Sequence, residues 1–130
     1  MKVKYNDGGR SKYYNASARD CVTRAVAIAA GVDYKEAYRA ITKLIGYTPR
    51  NGVFNADVKK IMKHFGGQWT PCMTIGSGCK VHLADNEVPM QGRIVCNCSG
   101  HLVAVIDGVI NDIYDPSRGG TRCVYGYWTF

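Results

Sequence analysis

The segment between Cys21 and Gly31 constrains this chain most: residues 25–30, Ala-Val-Ala-Ile-Ala-Ala, are apolar on every side of a helix. A short helix without a polar face must be surrounded by protein, so the rest of the chain has to wrap it. Ser17 or Asp20 can cap its start, and Gly31 can supply the left-handed stop. The same helix is headed by a thiol, Cys21, placed between an acid and the apolar run.

Two more helices are predicted after it. Asp33 reads as an N-cap with Glu36 completing a capping box, and Tyr34, Ala37, Tyr38, Ile41, Leu44 and Ile45 recur at a 3.6-residue period up to Gly46. Asn55 reads as the cap of the third, with Val58, Ile61, Met62 and Phe65 inward, Lys59, Lys60 and Lys63 outward, and Gly66 at its end. From there the pattern turns to strands: 68–73, a Gly-rich loop and short strand over 74–83, a connection at 85–89, then 93–98, 101–106, 109–114 and a closing strand at 121–128. Asp107-Gly108 between two of these is a strong hairpin signal. Residues 1–16, polar with Gly8-Gly9 and several tyrosines, read as an irregular basic arm. Helices first and strands second predict one α+β domain over 1–130, its buried first helix and its companions packed on a C-terminal antiparallel sheet.

The net charge of +7 includes six Lys or Arg against two Asp in residues 1–24, which favours an acidic partner or substrate, or a solvated basic face. The apolar runs fall far below the roughly 18 residues of a spanning helix, so no membrane partner is expected. The start MKVKYNDGGR lacks the apolar segment of a signal peptide, which predicts a cytoplasmic location. In a reducing compartment disulfides are not expected, and Cys21, Cys72, Cys79, Cys96, Cys98 and Cys123 are left for packing, catalysis or metal binding. A zinc reading gathers Cys72, Cys79, His82, Cys96 and Cys98, but C-x6-C-x2-H is not a familiar finger. Cys96 and Cys98 in one strand share a face, as core residues do. No metal or cofactor is therefore expected.

A thiol is a nucleophile only as thiolate, and a helix N-terminus lowers its pKa through unpaired N–H groups and the macrodipole. Cys21 holds such a position; Arg24, one turn on, adds to the effect, and Asp20 opposes it unless its carboxylate is turned into a cap. The plainer alternative is a small core residue at a helix start. A reactive cysteine also needs an imidazole. His64 lies among lysines and His82 follows the Gly-rich loop, whereas His101 opens a strand directly after Ser99-Gly100. With a two-residue turn at 107–108, His101 faces Tyr114, Asp112 lies diagonally on the same face, and Asp115 sits just past the pair before Pro116. Either acid can orient the imidazole, and either can be an ordinary strand or turn residue. An oxyanion donor can come from the Cys21 N–H and the side-chain amide of Asn15, six residues upstream.

This assembly of amide, Cys heading a buried helix, His on a strand and acid on the next resembles the papain-like cysteine peptidase superfamily. It is most similar to peptidase domains that trim bacteriocin leader peptides, with Asn15, Asp20, Cys21, the small-residue helix, His101 and Asp115-Pro116 in the matching places. Asn15 stands where that group has Gln, and Val22 where it has Gly. The resemblance implies a papain-like fold and assigns Cys21 as nucleophile, His101 as general base and acid, Asp115 as orienter and Asn15 as oxyanion donor. Segments 76–83, 101–108 and 115–128 are also similar to short uncharacterised bacteriophage proteins, which implies a phage origin and a bacterial host cytoplasm.

Two function classes follow. One is a thiol hydrolase, a cysteine peptidase by default, acting on a protein or peptide substrate such as a host protein; deamidation and isopeptide cleavage use the same machinery. The other is a non-catalytic basic binder or inhibitor on the same scaffold, aimed at a host factor or nucleic acid. Basic and aromatic residues interleave at 3–6 and 11–14, which fits a stacking and phosphate-contact surface and a Tyr-rich packed arm equally well.

Overall fold

A computed structural model describes residues 1–130. Three helices and a six-stranded mixed sheet make an α+β fold. In chain order these are β1 (Val3–Tyr5), a 3-10 turn (Arg10–Lys12), α1 (Cys21–Ala30), α2 (Tyr34–Ile45), α3 (Asn55–His64), β2 (Gln68–Pro71), β3 (Arg93–Cys98), β4 (His101–Ile106), β5 (Val109–Asp112) and β6 (Val124–Thr129). The sheet order is β1-β5-β4-β3-β6-β2. No helix is long and apolar enough to cross a membrane.

The predicted wrapping of the first helix holds. Seven of the ten α1 residues are buried, and Gly31 ends the helix in the left-handed region at φ 69°, its N–H reaching the Ala27 carbonyl. Val22, Ala25, Val26 and Ala29 pack with Ile41 of α2, Ile61 and Met62 of α3, and Val95, Leu102, Ala104 and Trp128 of the sheet. Each fully buried Val or Ile in this set contributes about 1.5–3 kcal/mol relative to exposure. The opposite face of the sheet carries a second core, in which Ile94, Cys96, Cys98, Val103, Val105, Ile110 and Val124 meet Leu83 and Val88 of the long β2–β3 connection.

The hairpin forms as its dipeptide requires. Asp107 and Gly108 both take positive φ, 48° and 77°, the pair needed for a two-residue turn matching the strand twist. Ile106 then pairs with Val109, Val105 with Ile110 and Ala104 with Asn111. This register decides which side chains of β5 can reach the mouth of β4.

Several expectations are corrected. The first residues are not an irregular arm throughout: β1 pairs with β5 in parallel, Val3 with Ile110 and Tyr5 with Asp112, so the sheet is mixed and not purely antiparallel. All three β1 side chains are exposed, so the pairing is carried by backbone and left no hydrophobic alternation to read. Phe54, not Asn55, is the N-cap of α3, and no side chain caps that end. The 74–83 stretch contributes only an isolated bridge between His82 and Cys123. That bridge brings Cys79 within reach of Cys123, and the two form a disulfide with Cα atoms 5.8 Å apart, against the expectation of free thiols. Redox compartment governs whether a bond persists, but only the fold decides which sulfurs meet.

The disulfide closes a separation of 44 residues. Replacing Cys79 and Cys123 together by Ser is expected to lower the unfolding free energy by about 2–4 kcal/mol in urea denaturation, because the unfolded chain regains the closed loop's freedom. A change within about 0.5 kcal/mol would mean that the segment is held by its apolar contacts alone.

Candidate active site

Cys21 is the first residue of α1, and Asp20 stands at the N-cap without a side-chain hydrogen bond to the helix. The N–H groups of the first turn are thus left without a side-chain cap beside the sulfur. Asp20 is instead wholly buried in an ion cluster. Its Oδ2 accepts from Arg10 Nη1 at 3.2 Å and from the Tyr34 hydroxyl at 2.5 Å, and its Oδ1 accepts from Arg24 Nη1. Two guanidinium groups on one carboxylate remove the objection that an acid next to the thiol would oppose its ionisation.

The Arg24 guanidinium, also buried, turns its second nitrogen to Asp112, with Nη2 3.5 Å from Oδ1. The other Asp112 oxygen lies 2.7 Å from His101 Nε2. Asp112 Oδ1 also accepts from the Ile113 N–H at 2.7 Å, which fixes the carboxylate at the end of β5. With Nε2 engaged, Nδ1 is the other ring nitrogen, and the imidazole lines the same cleft as the Cys21 thiol. The Tyr114 ring tilts against the imidazole, centroids 5.4 Å apart, and its hydroxyl approaches Nδ1 at 3.5 Å. A connected path therefore runs Asp20–Arg24–Asp112–His101, and Cys21 shares the cleft at its end.

The two reacting groups shift toward each other. Burial raises the Cys21 pKa, but the neighbouring His101 imidazole, the Leu102 backbone and the Arg24 charge outweigh it, so the thiol lies below its ordinary value. Burial lowers the His101 pKa, and the hydrogen bond to Asp112 with the neighbouring Cys21 outweighs that in turn, so the imidazole lies above its ordinary value. Both directions favour thiolate with imidazolium. The other free cysteines run the opposite way: burial pushes Cys72 and Cys96 up and takes Cys98 to about 11, leaving Cys21 as the thiol whose surroundings favour ionisation.

The predicted residues thus divide. Cys21, His101 and Asp112 converge. Asp115 is exposed and accepts from the Ser117 N–H at 2.9 Å, which makes it a turn former in this arrangement. Asn15 is exposed and lines a hollow with Arg10, Ala16 and Asp20. The cleft over the thiol is lined instead by Arg19, Asn51, Gly52, Gly100, His101 and Tyr114. Of the residues weighed for zinc, Cys79 is bonded to Cys123, His82 pairs with Glu87 at 3.0 Å, and Cys96 and Cys98 lie in the sheet core; no group of three His, Cys, Asp or Glu side chains is arranged to hold a metal ion.

Sequence reading missed Arg10, Tyr34 and Asn51. The i,i+4 spacing of Asp20 and Arg24 was the one local sign of the ion cluster. Arg10 and Tyr34 come from separate segments, and only their burial reveals them. Asn51 reaches the cleft because its backbone bridges Arg19 next to the thiol. Comparison with family models, curated proteins and solved structures gives no match, so the geometry of Cys21, His101 and Asp112 carries the functional reading.

Proposed function

We propose that this protein is a papain-like thiol hydrolase, a cysteine peptidase in its simplest form, working through Cys21, His101 and Asp112. The observation that carries the reading is that Cys21 and His101 line one cleft with Asp112 2.7 Å behind the ring, and the thiol lies below and the imidazole above its ordinary pKa. The likeness to bacteriocin-leader peptidases supports a peptide substrate, and the likeness to short phage proteins supports a bacterial cytoplasm as the place of action.

In the proposed cycle the Cys21 thiolate attacks a carbonyl carbon, forming a C–S bond while the carbonyl electron pair moves to oxygen. The uncapped N–H groups at the start of α1 receive that oxyanion, with the Asn51 amide as a further donor on the cleft wall. Collapse breaks the C–N bond, and the departing nitrogen takes the imidazolium proton of His101. A water then gives its proton to His101 and attacks the thioester, and the thiolate leaves. Asp112 holds the ring in place throughout and keeps the positive charge next to a negative one.

The test is alkylation by iodoacetamide at low concentration, read by intact mass and peptide mapping. Selective modification of Cys21 is expected. A depressed thiol pKa means that thiolate is present at lower pH, so the rise of rate with pH should be centred below the roughly 8.5 of a free thiol. Removing the imidazole in His101→Ala takes away the largest favourable contribution and should move that rise to higher pH. Equal labelling of several cysteines, or a profile unchanged by His101→Ala, would sink the hydrolase reading. A biological effect that survives Cys21→Ala would favour the non-catalytic binder.

A further inference from the structure

We propose that the cleft floored by the two tryptophans beside Gly100 is the specificity subsite of this protein, taking a large apolar or aromatic side chain flanked by a carboxylate on a peptide; the proposal rests on the thiol-hydrolase reading for which peptide bond is presented. The cleft, about 320 Å³, is lined by Asn55, Lys59, Trp69, Asn97, Gly100 and Trp128. Trp69 of β2 and Trp128 of β6 are paired in register with ring centroids 4.5 Å apart.

Three observations point to a built site. The Trp69 ring is seated where Gly126 has no side chain: an added Cβ would run into the indole, so the sheet reserves this place for it. The ring nonetheless leaves 41% of Trp69 exposed, an open aromatic surface beside the buried Trp128. The cleft also has one-sided polarity. Lys59 has no acidic partner, whereas its neighbour Lys60 pairs with Asp57 at 3.8 Å, and no acid lines the walls. The Asn55 and Asn97 amides add donors and acceptors suited to a peptide backbone.

The cleft neighbours the thiol site. Gly100 borders both, and the segment that supplies Asn51 and Gly52 to the thiol cleft supplies Asn55 to this one. A Cβ at Gly100 would meet nothing within 4 Å, so no side chain crowds the wall that the two hollows share. An extended peptide laid along these shared walls can place a carbonyl at Cys21 and a side chain over the indoles. A carboxylate beside that side chain meets Lys59 on a chain of net charge +7.

Trp69 and Trp128 are the chain's two tryptophans, so intrinsic fluorescence reports this cleft. The full chain carrying Cys21→Ala is titrated with acetyl-Glu-Phe-Ala-Ala-amide, with its Phe→Ala and Glu→Lys versions, and with oligothymidylate. Saturable quenching by the first is expected, about tenfold weaker with Ala in place of Phe and about threefold weaker with Lys in place of Glu. The response should vanish in Trp69→Ala, whose exposed position makes a folding failure detectable by thermal melting. With the thiol intact, saturating Phe peptide should slow iodoacetamide labelling of Cys21 by at least about fivefold. Equal or absent quenching by the Phe and Ala peptides overturns the proposal, and so does saturable quenching by oligothymidylate alone, which would assign the cleft to nucleic acid. Loss of peptide discrimination with Cys21 still selectively labelled sinks the subsite alone; unselective labelling sinks the hydrolase reading alone.

Discussion

Asp112→Ala is expected to lower hydrolysis of a fluorogenic peptide library by about 10²–10⁴-fold, while Asp115→Ala changes it by less than about twofold. The two acids lie three residues apart, yet the structure treats them differently. Asp112 is 4% exposed, 2.7 Å from His101 Nε2 and next to the Arg24 guanidinium. Asp115 is exposed and spends its carboxylate on the Ser117 N–H. Truncating Asp112 also strands part of a buried positive charge, so Asp112→Asn is the companion variant: it keeps the shape and removes the negative charge behind the ring. Thermal melting of both variants separates a folding loss from a chemical one. Comparable losses at 112 and 115, or a larger loss at 115, would return the orienting role to Asp115.

The largest effect on stability is expected at Asp20. Its carboxylate is fully buried and serves Arg10, Arg24 and the Tyr34 hydroxyl at once. Removing one partner of a buried ion cluster leaves the others uncompensated, so Asp20→Ala should cost about 3–5 kcal/mol. In a chain of this length that corresponds to a fall in Tm of roughly 10–20 °C by calorimetry. Asp20→Asn, which retains an oxygen for Tyr34 but no charge, should fall between the two. The Tyr34 hydroxyl should resist ionisation through the alkaline range, since burial and the neighbouring carboxylate both push its pKa well above the ordinary tyrosine value. A loss below about 1 kcal/mol in Asp20→Ala would mean that water reaches the guanidinium groups once the carboxylate is gone.

These two residues mark where sequence reading succeeded and where it ran out. The all-apolar segment announced a buried helix because no face of it could meet water, and seven of the ten α1 residues are buried. Asp107-Gly108 announced a hairpin because a two-residue turn needs positive φ at both positions. Given that turn, His101 at the mouth of β4 and the acids on the returning strand followed from register alone. Cys21 and His101 were legible in the sequence as candidate partners, by the helix start and the strand mouth they occupy.

What the sequence by itself determined was local: helix periods, the left-handed stop, the turn and the thiol at a helix start, each set by residues within a few positions of one another. Only the tertiary structure set Asp112, and not Asp115, against His101, because that placement depends on burial and on an Arg24 side chain arriving from α1. It alone joined Arg10 and Tyr34 to Asp20, paired β1 with β5, and brought Cys79 to Cys123. Such contacts are absent from any short window of sequence, since their energy comes from groups far apart in the chain being desolvated together.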